Sequence, residues 1–262
     1  MLSNLFKKNG QNGAAIPSGH RVYAIGDIHG SLDALNNLLD RIAEDQAGVG
    51  DPDLVFSENG APRPDKSTLI FLGDYIDRGP ESRGVIERLI SLRRVHEDMI
   101  CLKGNHEAAI LDFLAAPNKW GEWLHWGGAE TLESYGLQNV WNREEGDLAA
   151  ELKEQMPQSH RDFLETLELS RTVGDYLFVH AGLKPGIALE DQQAKDLLWI
   201  RGEFHRTPKN QRPDQVVVHG HHPVKKPQDT GWRINVDTGA CWTGMLTAVV
   251  LEGSNRRYIS TT

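Results

Sequence analysis

The chain has 262 residues, and its 28 Lys+Arg against 37 Asp+Glu leave a net charge of −9, without the basic face that general nucleic-acid binding needs. Hydrophobic residues make up 39% and charged residues 25%, which excludes a disordered or collagen-like chain, and no run approaches the roughly 18 apolar residues of a membrane span. Two cysteines exclude a disulfide scaffold and fit a reducing compartment, so a cytoplasmic protein is expected.

Residues 1–19 are rich in Gly, Asn and Gln after Lys8 and read as a flexible lead-in to a single α/β domain over 20–262. Val22–Ile25 fits a buried strand. Ser31 can cap a helix that carries Leu32, Leu35, Leu38, Leu39 and Ile42 on one face. Residues 48–66, rich in Gly, Pro, Asp and Asn, read as a loop. Thr68–Leu72 is the next strand, and Val85, Ile86, Leu89, Ile90 and Leu92 mark a second helix. Met99–Leu102 is a third strand, followed by a helix over Glu107–Leu114. Strand and helix thus alternate as in an α/β fold. The stretch from about 111 to 172 is helical in character and is expected as an insertion over one edge of the sheet. Strands return at Tyr176–Val179, Gln215–Val218, Arg233–Val236, Leu246–Leu251 and Arg257–Ser260, with short connections that predict a partly antiparallel arrangement.

Five of these strand runs end in polar residues of one chemical type. They read Gly26-Asp27-Ile28-His29-Gly30, Gly73-Asp74-Tyr75-Ile76-Asp77-Arg78-Gly79, Lys103-Gly104-Asn105-His106-Glu107, His180-Ala181-Gly182 and His219-Gly220-His221-His222. In open α/β sheets ligands bind outside the carboxyl ends of the strands, so the five ends converge if the strands are neighbours. The set of Asp, His and Asn without Cys suits Mn²⁺, Fe or Zn²⁺. It holds more candidate ligands than one metal needs, which points to two metals bridged by a carboxylate and to phosphate-ester hydrolysis.

The ordered set GDIHG, GDYIDRG, GNHE, HAG and HGHH resembles the PPP-type phosphoprotein phosphatases of the calcineurin-like metallophosphoesterases. LLWIRGEF, GHHPV and VDTGACWTGMLT resemble the bacterial and phage branch, that of the bacteriophage lambda phosphatase. The resemblance runs from about His20 to Tyr258. It implies a central β-sandwich of mixed sheets flanked by helices, with two divalent metal ions, Mn²⁺ first. It also implies that Asp27 and His29 hold one metal, that Asp74 bridges, and that Asn105, His180 and His221 complete the second. His221 is selected because Gly-His-His-Pro matches the branch's Gly-His-Thr-Pro, leaving His219 and His222 supporting parts. By the same likeness His106 is the general acid, Asp77 orients it, and Arg78 and Arg201 clamp the phosphate with Asn105. The implied chemistry is direct in-line displacement by water activated at the metals, without a phosphoenzyme.

The expected function is therefore a phosphomonoesterase acting on phosphoserine and phosphothreonine in a phosphoprotein or phosphopeptide. A symmetrical diadenosine tetraphosphatase on the same scaffold is the rival, and a non-catalytic scaffold a remote one. Asp77 and Glu107 follow the protein-phosphatase form. Trp120, Trp123 and Trp126, at i, i+3 and i+6, read as core. His20, His96, His125, His160 and His205 have no motif context and are expected on the surface, and Cys101 is expected buried and inert. The stretch Glu144–Glu154 reads as a solvated acidic face.

Overall fold

Alternation along the first strand sets the layers. In the computed structural model, which describes residues 13–47 and 66–261, β1 (His20–Ile25) sends Val22 and Ala24 into one apolar core and Tyr23 and Ile25 into another. A strand covered on both faces reads as a continuous apolar run. Most of the expected lead-in and nearly all of the loop expected at 48–66 fall outside the described residues.

β1 pairs in parallel with β2 (Lys66–Phe71), which pairs in parallel with β3 (Met99–Cys101). The other half of the chain supplies β4 (Ser170–Val173), β5 (Tyr176–Val179), β6 (Val216–His219), β7 (Gln228–Asp229) and β8 (Arg233–Asn235). Last come β9 (Thr247–Glu252) and β10 (Asn255–Ser260), an antiparallel hairpin that docks on β1. Among the described residues the result is two five-stranded sheets, ordered β10-β9-β1-β2-β3 and β4-β5-β6-β8-β7. Both are mixed, with β5, β6 and β8 parallel and β4 and β7 antiparallel at the edges. The sheets pack face to face through Val22, Ala24, Ile70 and Leu72 on one side and Phe178, Val216, Val218 and Ile234 on the other. The strands β4 and β7 went unanticipated because they are short, polar edges with no apolar run to betray them.

Helices α1 (Leu32–Ala47), α2 (Ser82–Arg93) and α3 (Asn105–Ala115) cover the outer face of the first sheet. Ser31 does not act as the expected side-chain cap of α1, because its hydroxyl donates to the His29 carbonyl at 3.3 Å. The expected insertion contributes α4 (Pro117–Trp120), a 3₁₀ turn over Gly121–Trp126, α5 (Gly128–Ser134), α6 (Glu145–Gln155) and α7 (Gln158–Glu165). These helices pack on α2 and α3 and share the core that lies over the first sheet, rather than sitting on its edge. Short helices α8 (Ala194–Trp199) and α9 (Gly202–His205) bring Leu197 and Phe204 onto Leu177, Val179 and Val217 on the outer face of the second sheet. A four-residue helix, α10 (Ala240–Thr243), precedes β9. Among the described residues no helix is long and apolar enough to cross a membrane.

Candidate metal centre and phosphate pocket

The two parallel triplets, β1-β2-β3 and β5-β6-β8, lie back to back, and their carboxyl ends share one rim. Asp27 and His29 follow β1, Asp74 follows β2, Asn105 and His106 form the first turn of α3 just after β3, His180 follows β5 and His221 follows β6. All seven are buried, at 5% exposure or less. Sharp turns put them there. His29 (φ 48°), Asp74 (52°), Asp77 (74°), Arg78 (68°) and His221 (63°) occupy the left-handed region that side-chain-bearing residues avoid, and among the described residues only Asn139 (54°) joins them. Strain of about 1–3 kcal/mol at each such residue needs support from its surroundings, and functional sites are where it collects.

Part of that support is a buried carboxylate. Glu107 accepts the backbone N–H of Asp74 and of Tyr75, each at 2.8 Å, and of Gly104 at 2.9 Å, which fixes the β2 turn against the start of α3. The motif glycines meet the carboxylates directly. A Cβ on Gly104 would lie 2.1 Å from Asp74 Oδ1, and one on Gly220 would lie 2.0 Å from Asp27 Oδ1.

Asp74 stands in the middle of the group. Its Oδ2 is 3.5 Å from His29 Nε2, and its Oδ1 is 3.4 Å from His180 Nε2. Potential ligand atoms gather as His29, Asp74 and His106 on one side and as Asp74, His180 and His221 on the other. Asn105 Oδ1, 3.0 Å from His180 Nε2, belongs with the second group. Asp27 does not fall within the first triad. Its carboxylate instead accepts the His221 N–H at 3.0 Å and so ties the two halves of the rim together. The imidazoles are aimed by their backbone partners. His29 Nδ1 sits 2.8 Å from the Ile76 carbonyl and His180 Nδ1 2.9 Å from that of Leu72, so both Nε2 atoms face inward.

The electrostatics hold two of the carboxyls against ionisation and one imidazole in its charged form. Burial and then the neighbouring Asp237 carboxylate push Asp27 well above the carboxylate range, and burial lifts Asp237 to about 6. Burial disfavours a charged His180, yet Asp74 overrides it and raises that imidazole to about 10, while burial and His180 together press His221 down to about 2. Buried carboxylates beside inward-facing imidazoles, without a thiolate among them, fit hard or borderline divalent cations.

Beside this centre lies a second arrangement. His106 Nδ1 is 2.6 Å from Asp77 Oδ2, which also accepts the Trp123 indole N–H at 2.7 Å, while Asp77 Oδ1 accepts the Thr131 hydroxyl at 2.5 Å. Burial works against a charged His106, but Asp74 and then Asp77 raise its pKa above the ordinary value. Arg78 places Nη1 2.8 Å from His29 Nε2 and Nη2 3.2 Å from His106 Nε2, and Arg201 donates from Nε to His221 Nε2 at 3.2 Å. The two guanidiniums thus approach the centre from opposite sides. They open onto a cavity of about 490 Å³ that Asn105, His106, Trp126, Trp199 and Trp242 also line.

The family model for calcineurin-like phosphoesterases matches residues 20–245. The chain belongs to that family. Among curated relatives, it is 27% identical over 240 residues to a bis(5'-nucleosyl)-tetraphosphatase PrpE [asymmetrical] of Bacillus thuringiensis (strain Al Hakam), covering 86% of this chain and 88% of that one. It is 29% identical over 239 residues to the protein of the same name from Bacillus anthracis (strain CDC 684 / NRRL 3495), with the same coverage. These names lie outside the phage-type branch that the motifs led one to expect. Among solved structures, one named for a diadenosine tetraphosphatase superposes with a TM-score of 0.61 at 20% identity, over 95% of this chain and 98% of that one. A Saccharomyces cerevisiae protein serine/threonine phosphatase gives a TM-score of 0.55 at 18% identity over 93% and 80%. Both structural likenesses bear on the metallophosphoesterase fold.

Several site residues escaped the sequence reading. Asp237 follows β8 as Asp74 follows β2, so the strand-end pattern was a sufficient signal for it. Trp123 was expected as core and is fully buried, but its indole N–H also holds Asp77. Thr131, which shares that task, carried no signal in the sequence. Trp126, expected as core, is half-buried and packs against that core while also lining the cavity, and His125, exposed as expected, lines it too. His160, also expected on the surface, is buried with Nδ1 2.8 Å from the Tyr135 hydroxyl, and His20 is half-buried beside Thr68. His205 is half-buried as well, its ring edge-to-face with His222 and tilted against His219. Cys101 is buried, as expected.

Proposed function

We propose that this metallophosphoesterase hydrolyses the phosphoanhydride chain of a bis(5'-nucleosyl) tetraphosphate. The observation that carries the reading is the cavity. About 490 Å³ beside Arg78, Arg201, Asn105 and His106 is the size of a small-molecule site, several times what a single phosphoryl group fills. The likeness to relatives named bis(5'-nucleosyl)-tetraphosphatases over 86% of the chain supports the same substrate class. Asp27, His29, Asp74, Asn105, His180 and His221 would hold two divalent cations, which we take to be Mn²⁺. When bound, these cations would supply Lewis acidity and a water of lowered pKa.

The chain's own residues do the rest. Arg78 and Arg201 grip phosphate oxygens through their planar forks and set the reacting phosphorus in line. Asn105 offers its side-chain N–H₂ to the same group while its oxygen faces His180. His106, held by Asp77, presents Nε2 to the leaving oxygen. The buried Asp74 fixes the spacing of both halves.

A second reading is favoured by the His106–Asp77 pair. A buried imidazole whose pKa is raised by carboxylates is an acid, and an acid matters most for a poor leaving group such as a serine or threonine alkoxide. The leaving phosphate of an anhydride needs no such proton. On this reading the substrate is a phosphoprotein or phosphopeptide.

The test compares kcat/KM of Mn²⁺-loaded protein on diadenosine tetraphosphate and on a phosphothreonine peptide, each with a chelator control. We expect a preference for the dinucleotide. Products of ATP and AMP mark asymmetric cleavage, and two ADP mark symmetric cleavage. A clear preference for the peptide overturns the first reading in favour of the second. Activity that survives chelation overturns both.

A further inference from the structure

We infer that Trp126, Trp199 and Trp242 form a slot for the nucleobase of the substrate, with Trp242 as the residue that selects it. This deepens the dinucleotide reading and rests on it for the identity of the whole substrate, but not for the slot itself. The three indoles come from three separate segments: the 3₁₀ turn at the end of which Trp126 lies, the last residue of α8, and the short helix α10. Trp126 and Trp199 meet edge to face, with ring centroids 5.5 Å apart and planes at 70°. Trp242 stands 4.9 Å from the Arg78 guanidinium, the group that grips phosphate, and lines the same cavity.

Trp242 is also 63% exposed. An indole left in water at the mouth of a phosphate site forgoes the stabilisation that burial would give it. Glu130 lines the cavity too. A carboxylate there repels further anionic groups but accepts hydrogen bonds from the exocyclic amine of a purine or from ribose hydroxyls. Aromatic faces beside arginines and a single acceptor are the chemistry that holds a flat, amine-bearing ring attached to phosphate, and base–aromatic stacking tolerates any base.

The slot is tested by calorimetry on the Mn²⁺-loaded His106→Asn protein, whose slowed turnover permits equilibrium binding. AMP and ribose 5-phosphate carry the same phosphate on the same sugar and differ in the base. We expect AMP to bind about ten- to a hundredfold tighter. Adding Trp242→Ala should collapse most of that ratio, and Trp242→Phe should restore most of it. Equal affinity for AMP and ribose 5-phosphate overturns the slot. An equal loss for both ligands in Trp242→Ala also overturns it, since Trp242 would then act only by steadying Arg78. Phenyl phosphate binding as tightly as AMP overturns the nucleobase assignment. A preference for AMP in a protein that does not cleave diadenosine tetraphosphate upholds the slot and breaks the functional reading instead.

Discussion

The two ends of β1 carry charges of opposite character. At the start of the strand, Arg21 donates from Nε to Glu252 at 2.6 Å and from Nη1 to Asp45 at 3.1 Å. Asp45 also accepts the Tyr23 hydroxyl and the Arg257 guanidinium, each at 2.6 Å. Every acid there has a cation, and the network ties α1 and the β9–β10 hairpin to the strand. Just past the other end, Asp27 joins Asp74 and Asp237 in the interior, where burial and the neighbouring carboxylates hold Asp27 and Asp237 above the carboxylate range. The backbone is relaxed at the first end and left-handed at His29 and across the rim at the second. Charges that neutralise one another build architecture, whereas buried charges left unbalanced are there to receive something. Replacing residues at the two ends should therefore have opposite consequences for stability and for metal.

Asp74→Asn makes the largest change, because the same carboxylate faces both halves of the rim. Supporting residues around metal ligands already cost about 10–100-fold in affinity or activity, so a shared ligand should cost more than about 100-fold in metal affinity. Metal content after gel filtration checks this, and a variant that keeps two metals would show that Asp74 is no bridge. His106→Asn comes next. It removes the acid while leaving the inward-facing carboxylates in place. We expect metals to stay bound and kcat on a phosphothreonine peptide to fall about 10²–10⁴-fold. The fall on diadenosine tetraphosphate should be smaller, because its leaving group needs no proton. Equal losses on the two substrates would show that His106 acts chiefly by binding phosphate.

Asp27→Asn sharpens the comparison from the stability side. The amide oxygen can still accept the His221 N–H, but the buried charge is gone. A buried carboxyl held well above its ordinary pKa costs the fold stability at neutral pH, and the amide carries no such cost. In chelator the variant should therefore melt above the wild type, while its metal content in Mn²⁺ falls. A lower melting temperature in chelator would mean that Asp27 is a structural residue like those at the far end.

What the sequence made legible follows the same division. Each of the five motifs sits where a strand leaves the sheet, so the strand runs could bring the five motifs to one rim, while the choice of ligands within them, His221 above all, came from the family likeness. The α/β class was legible because both faces of β1, β2 and β6 are covered and their apolar runs are unbroken. The support for the site was not. Trp123 and Thr131 reach Asp77 across 46 and 54 residues of chain, and nothing in their local pattern separates them from core. The insertion was legible as helix but not as a clamp on the Asp77–His106 pair, since that depends on how α5 seats against α2. Glu107 was read only as part of a motif, although its two oxygens accept four backbone N–H groups.

Asp45→Asn is the smallest expected effect and the mirror of Asp27→Asn. Asp45 is partly accessible, its side chain 21% exposed, and partly exposed ion pairs contribute little, so the loss should be about 1 kcal/mol. Its sign is nevertheless fixed. Burial opposes ionisation, but hydrogen bonds from Arg257 and Tyr23 and the nearby Arg21 hold the Asp45 carboxyl below its ordinary range. A carboxyl depressed by folding stabilises the fold above its unfolded pKa, near 3.9. That stabilisation disappears as pH falls through the lower folded value. Denaturant melts at pH 7 should therefore show the variant weaker, with the gap to wild type closing below about pH 4. Metal content and kcat/KM should match the wild type throughout, because the network lies at the opposite end of the strand from the rim. A gap that persists into acid would place the contribution of Asp45 in packing rather than in charge. A loss of metal would show that the two ends of β1 are coupled, and would break the division between them.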